Sequence, residues 1–215
     1  MDAGARETVD ELLATTRSVR RKLDFERPVE PDVIEDCIEL ALQAPTGAGG
    51  EGWRFVVVSE PEKKRALGDL YRDAFARYVE TRAATAHAEA APEAPARYRQ
   101  LAERLHEFPV LILACLEGRP EPGTARQVAF YGSILPAAWS LMLALRSRGL
   151  GTTWTSVHLM HEVEAARVLG IPAGVTQTVL LPVAYMRGAR LKRAERRPAR
   201  DVTFWNAWGE RRPER

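Results

Sequence analysis

Cysteine is almost missing from this chain: 215 residues hold two, Cys37 and Cys115, far apart and each inside an apolar stretch. No CxxC occurs, so neither a disulfide framework nor a thiolate metal site organises the fold, and both thiols are expected reduced and buried. Excess charge is missing as well. Lysine and arginine number 31 against 29 aspartate and glutamate, a formal +2, which gives no global attraction to nucleic acid or to an anionic membrane. No uninterrupted apolar run approaches the roughly 20 residues of a spanning helix. The opening MDAGARETVD has no apolar signal core, so a cytoplasmic protein without a membrane partner is expected. Repeats, G-x-S-x-G, a P-loop and H-E-x-x-H do not occur, which removes solenoid, serine-hydrolase, phosphoryl-transfer and zincin readings. His158 and His161 stand three apart, but no segment offers a third ligand, so no metal is expected.

What is present is an ordinary globular composition, 46% hydrophobic and 28% charged, suited to a single domain over 1–215. The chain is organised around Pro31 to Val58, which reads as helix, glycine loop and strand. Pro31 suits a first helical turn, and Val33, Ile34, Cys37, Ile38 and Ala41 recur on one face. Pro45 has no N–H to donate and should stop that helix. Four of the six residues from Gly47 to Gly52 are glycine, which lets backbone approach a ligand closely. Gly47, Gly49 and Gly52 match G-x-G-x-x-G, yet the order is helix to strand. A dinucleotide fingerprint needs strand then helix, so a Rossmann site is rejected on context. Trp53 to Val58 has the apolar pattern of a buried strand.

Further strands are predicted over Pro109–Leu116, Thr152–Val157 and Val175–Tyr185, with Pro182 marking an edge or bulge in the last. Helices are predicted for the segment ending near Thr16 and over 61–78, 97–107, 130–148 and 162–169. Pro136 implies a kink or a helix start, and Gly149 a cap. Thr81 to Ala96 is rich in alanine, glutamate and proline with little to bury, as a surface segment would be. The order of elements gives an α+β sheet covered by helices.

Arg17, Ser18 and Arg20 can grip an anion, because guanidinium forks match phosphate oxygens and a hydroxyl adds a short bond. A solvated basic helix end accounts for the same residues. The run from Arg187 to Arg200 is strongly basic and invites a nucleic-acid reading, but no reader motif accompanies it.

Three stretches, in order, resemble one family. APTGAGGEGWRFVVV is similar to the flavin-proximal loop of the FMN-dependent nitroreductases, usually a variant of A-P-S-G-x-N-x-Q-P-W-x-F. TTRSVR, Thr15 to Arg20, and LALRSRGLGTTWTSVHL, Leu143 to Leu159, resemble two more of its motifs. The whole looks closest to an actinobacterial-type NAD(P)H nitroreductase branch. The resemblance implies a nitroreductase-like α+β fold. Its central mixed or antiparallel sheet would be flanked by helices. Independently of the resemblance, the length and low apolar content of about 71–104 suit a lid-like helical insertion, or equally an idle loop on a helical excursion. A C-terminal arm, about 187–215, would be exchanged in a homodimer. It implies FMN as cofactor and NADH or NADPH as reductant, with a nitroaromatic, quinone or similar small molecule as acceptor. FMN would be held by Arg17, Ser18, Arg20 and Arg196 at the phosphate and ribityl chain. Ala44, Pro45, Thr46, Gly47, Gly49 and Glu51 would reach it from the second subunit. Thr155, Ser156 and Val157 would present backbone amides to flavin N5. Thr16 and Glu195 stand where the family often has arginine and lysine, and Gly49 and Glu51 where it has asparagine and glutamine. A weakly binding or non-enzymatic relative, and a nucleic-acid-binding module, are the alternative readings at this point.

Phe204, Trp205 and Trp208 place three large aromatics within five residues. They are expected to clasp a neighbouring subunit.

Overall fold

The computed structural model describes residues 2–47, 50–82, 94–188 and 191–212. It divides into two compact units, Arg17–Ala189 and a smaller one made of Met1–Thr16 with Arg190–Arg215. In the larger unit, five antiparallel strands form one sheet: β1 (Leu23–Asp24), β2 (Trp53–Val58), β3 (Val110–Glu117), β4 (Leu150–Thr152) and β5 (Val175–Met186). Strand β5 is central. On one side it pairs with β3 and then, past Val183, with β1; on the other it pairs with β4. The apolar runs of β3 and β5 are buried almost throughout, as expected for inner strands covered by helices.

Strand β2 departs from its reading as a buried strand. It pairs with β3 alone and forms the sheet edge, with Arg54 and Val57 exposed. Its apolar alternate residues Trp53 and Phe55 still pack against the core. Pro182 is also not on an edge: it faces Leu111 of β3. The bulge lies instead at Thr178, between the pairs Ala114–Val179 and Cys115–Gln177. The expected strand over Thr152–Val157 is broken up. Strand β4 stops at Thr152 opposite Val183, and one bridge, Thr155 to Leu180, resumes the same register. Of the two rungs between them, the first falls opposite Pro182, which has no N–H to donate. After it the chain turns into a 3-10 segment, Val157–His161.

The helices of this unit are α2 (Pro31–Ala41), α3 (Pro61–Arg82), α4 (Ala94–Arg104), α5 (Thr124–Ser147) and α6 (Glu162–Leu169). Helix α2 stops before Pro45, its last turn tightened by Gln43 N–H to Leu40 and Ala44 N–H to Ala41. Helix α5 starts six residues earlier than expected and carries Pro136 in its interior. Among the described residues it is long and apolar enough to cross a membrane, by length and composition. In the fold it is the core helix: Ile134, Ala137, Ala138, Leu141 and Leu145 are buried. Gly149 (φ 79°) follows it and Gly170 (φ 69°) caps α6, both in the left-handed region that glycine occupies without strain.

In the smaller unit, Asp2 caps α1 (Ala3–Thr15) by accepting from the Ala5 N–H at 2.8 Å. The tail holds a short helix, α7 (Ala199–Val202). Arg211 donates to the carbonyls of Arg200, Asp201 and Thr203, closing the C-terminal end of that helix. The Phe204 and Trp208 rings meet in a tilted contact, centroids 4.6 Å apart, with the Arg211 guanidinium over Phe204, while Trp208 stays 91% exposed.

Candidate functional site

The segment after α1 is tied to β4 by its own backbone. Val19 N–H donates to Thr152 O at 2.8 Å, and Thr153 Oγ1 donates to Val19 O at 2.9 Å. Gly151 makes this approach possible: a Cβ there would fall 2.8 Å from Leu23 Cδ2 and 3.1 Å from Val19 Cβ. Ser18 and Arg20 thereby reach the same place as the 153–157 segment. Together they line a cavity of about 310 Å³ with Tyr71, Phe75 and Tyr78 of α3 and Tyr98 of α4.

Of the residues expected to hold a cofactor, the structure brings together Ser18, Arg20, Thr155, Ser156 and Val157. Arg17, half-buried, does not line the cavity. Arg20 is the sole charged side chain among the lining residues. Its guanidinium lies 4.4 Å over the Tyr98 ring, burial lowers its pKa, and its Nε is buried with no hydrogen-bond partner among the described residues. A buried unanswered guanidinium N–H is costly until an acceptor arrives. An anionic group beside flat aromatic walls therefore fits this cavity.

Thr155 is held from several sides. Its N–H donates to Leu180 O at 3.1 Å, and its carbonyl accepts from Leu180 N–H at 2.9 Å. Its Oγ1 lies 2.8 Å from the Tyr71 hydroxyl and accepts from Val157 N–H at 3.4 Å. Behind it His158 is 2% exposed with neither ring nitrogen partnered among the described residues, and burial lowers its pKa to about 4. His161 turns away and pairs with Asp73 at 2.6 Å. Among the described residues, no group of three His, Cys, Asp or Glu side chains is placed to hold a metal ion.

The glycine loop builds a second, separate place. Thr46, Gly47, Gly50 and Gly52 line an open groove of about 630 Å³ with Arg119, Arg126, Phe130 and Ser133. Gly47 N–H donates to Ser133 Oγ at 3.1 Å, the Ser133 hydroxyl donates in turn to Ala129 O, and Trp53 Nε1 donates to Ser133 O. Thr46 Oγ1 closes the loop onto Gly50 O at 2.7 Å. Ala44 is half-buried, Pro45 and Glu51 are exposed, and none of the three lines the groove. Gly49 lies outside the described residues. Thr155, Leu180, Leu113 and Val56 form one row across the sheet, so cavity and β2 stand about 14 Å apart at the usual strand spacing. Arg196, in the smaller unit, is exposed. From the basic run, Arg187 is engaged by Asp24 at 2.9 Å.

The sequence reading missed Tyr71, Tyr78, Tyr98, Trp154 and Ser133 as site residues. Tyr71 looked like one more apolar residue of a helix face. Ser133 had a usable signal, a polar residue inside a helix that is otherwise apolar nearly all round.

A model of the nitroreductase family matches residues 13–185. The chain is 33% identical to the iodotyrosine deiodinase of Drosophila melanogaster over 183 residues, 81% of this chain and 61% of that protein. It is 28% identical to the NADH dehydrogenase of Thermus thermophilus over 184 residues, 79% of this chain and 82% of that one. A solved iodotyrosine deiodinase bound to FMN and 3-iodo-L-tyrosine superimposes with a TM-score of 0.74 at 21% identity, covering 92% of this chain and 98% of that one. A nitroreductase-like protein from Bacillus cereus does so with a TM-score of 0.66 at 19% identity, covering 93% and 96%. The structural likenesses show the shared fold.

Proposed function

The chain belongs to the nitroreductase family, and on that footing we propose that it is an FMN-dependent oxidoreductase. It would draw reducing equivalents from NADH or NADPH and pass them to a small planar acceptor such as a nitroaromatic or quinone. The observation that carries this reading is the buried, unanswered Arg20 Nε beside Thr155–Val157 in an aromatic-walled cavity. Bound FMN supplies the hydride chemistry; the protein positions it and the acceptor. Arg20 and Ser18 hold the anionic and hydroxylated part of the cofactor. Thr155, Ser156 and Val157 face the ring. Helices α3 and α4 delimit the space left for the acceptor, and the aromatic side chains there favour a flat molecule.

The separation of about 14 Å between the cavity and β2, the strand that follows the glycine loop, supports a homodimeric site. In it the loop of one copy, residues 44–51, completes the cavity of another, and the aromatic tail clasps the pair. A soluble cytoplasmic location agrees with this reading. The iodotyrosine deiodinase relatives favour a second acceptor class, halogenated aromatics, at the same cavity.

The test is to load the purified protein with FMN and mix two variants, Arg20→Ala and Gly47→Val. Each alone is expected to bind FMN poorly. After reassortment, about a quarter of the sites should be intact, because a two-fold dimer of mixed subunits carries one undamaged site. A parent that stays colourless and titrates no FMN overturns the oxidoreductase reading. A parent that binds FMN while the mixture recovers nothing overturns the shared site.

A further inference from the structure

Tyr71 belongs to none of the three family-like stretches. It is 1% exposed, and its hydroxyl has one hydrogen-bond partner among the described residues, Thr155 Oγ1 at 2.8 Å. Two proton arrangements satisfy that distance. If Thr155 donated to Tyr71, the phenolic hydrogen of a residue 1% exposed would have no acceptor among the described residues, whereas Thr155 is 7% exposed and can turn its hydrogen to the cavity. If Tyr71 donates, its hydrogen is used, and the Thr155 hydrogen is free to turn elsewhere. Burial raises the Tyr71 pKa, so its proton stays on across the working range.

The remaining capacity of Thr155 settles where its hydrogen goes. A hydroxyl offers one donor and two acceptor sites. One acceptor site takes Tyr71, and the other takes the Val157 N–H at 3.4 Å. The backbone N–H and carbonyl of Thr155 are both spent on Leu180. Only the hydroxyl hydrogen remains, on a residue that lines the cavity.

We propose that Tyr71 is a positioning residue which fixes Thr155 as an obligate hydrogen-bond donor toward whatever occupies the cavity. This rests on the reading of the cavity as an FMN site. The bound flavin would therefore meet a donor of fixed sense, and its relative affinity in the oxidised and reduced states would be set partly by a phenol whose hydroxyl is spent on Thr155 at the cavity wall.

The test uses the FMN-loaded protein and five forms: parent, Tyr71→Phe, Thr155→Val, Thr155→Ser and the double variant of the first two substitutions. The dissociation constant for oxidised FMN is read by fluorescence titration, and the midpoint potential by equilibration with a reference dye. Thr155→Val and Tyr71→Phe are expected to move the potential in the same direction. A tenfold change in the ratio of affinities corresponds to about 30 mV for a two-electron couple, and a shift between a third of that and the whole is expected. The double variant should match Thr155→Val, because the phenol acts only through the hydroxyl, and Thr155→Ser should stay near the parent. Thr155→Ala replaces the valine form where the latter does not fold. Tyr71→Phe that lowers the melting temperature and leaves the potential in place marks the phenol as structural and overturns the proposal. Additive shifts in the double variant overturn it too. A parent that binds no FMN overturns the functional reading on which it stands, a result distinct from both.

Discussion

The cavity and the glycine-loop groove carry residues that resemble parts of one cofactor site, yet they are built in opposite ways. The cavity is walled by side chains packed to near invisibility, such as Tyr71, Phe75 and Leu101, and Thr155 is held through both its backbone and its side chain. The groove is open, and its loop leans on a single core hydroxyl, Ser133. The cavity is preorganised by packing within the chain and would spend little ordering on a ligand. The groove is a surface that, in the proposed shared site, would gain definition from what docks on it.

The largest effect expected from this contrast lies in the cavity. Arg20→Ala should weaken FMN binding by roughly 10- to 100-fold, the worth of one charge-assisted hydrogen bond at about 1.5–3 kcal/mol. Arg212→Ala in the tail should change it less than twofold, as read by fluorescence titration. Equal losses in both would break the comparison.

The next effect concerns acid. The folded-state pKa of His158 is depressed to about 4 by burial, so the unfolded chain binds the extra proton between that value and 6.5. Stability is therefore lost as pH falls through this window, by about 2 kcal/mol at pH 5 relative to pH 7. Urea unfolding at the two pH values should show it, and His158→Leu should flatten the slope. Persistence of the full slope in that variant would mean that other groups carry the acid sensitivity. The groove holds no comparable buried histidine among its lining residues.

Ser133→Ala attacks the other half. It strands the Gly47 N–H and is expected to cost about 1–2 kcal/mol of thermal stability, with FMN affinity falling only a few-fold. A loss of binding as large as that of Arg20→Ala would show the groove to be as decisive as the cavity. The smallest effect is expected from Gly49→Asn with Glu51→Gln. These changes return amide groups to the loop and remove a carboxylate near an anionic cofactor, so FMN should tighten by less than tenfold. Weaker binding would show that the acidic loop suits its ligand as it stands.

Helices and strands with a clear period were legible beforehand: α2 with its proline start, the apolar β3, and α6 with its glycine stop. The misread places share one cause, that hydrogen-bond partners are distant in sequence. Strand β2 has an apolar sequence and an edge position because only β3 lies beside it. The strand expected over Thr152–Val157 fails at the one rung that faces Pro182, 27 or more residues downstream of that segment's middle, and local propensity carries no trace of it. Motif likeness located Ser18, Arg20 and Thr155–Val157 in one cavity. It was blind to Tyr71 and Tyr98, whose spacing on α3 and α4 serves core and cavity alike.

Gly151 bears on how experiments on this protein are interpreted. Its missing side chain is what allows Val19, Leu23 and Met186 to converge on it, and that convergence brings Ser18 and Arg20 to the cavity. An alanine introduced there would push apart two segments that line the cavity, although residue 151 itself is not among the lining residues. In a saturation screen scored by flavin colour, this position would rank among the strongest hits, beside residues that touch the cofactor. Such a screen measures spacing as much as contact, and only a stability assay run in parallel would tell a ruler from a ligand.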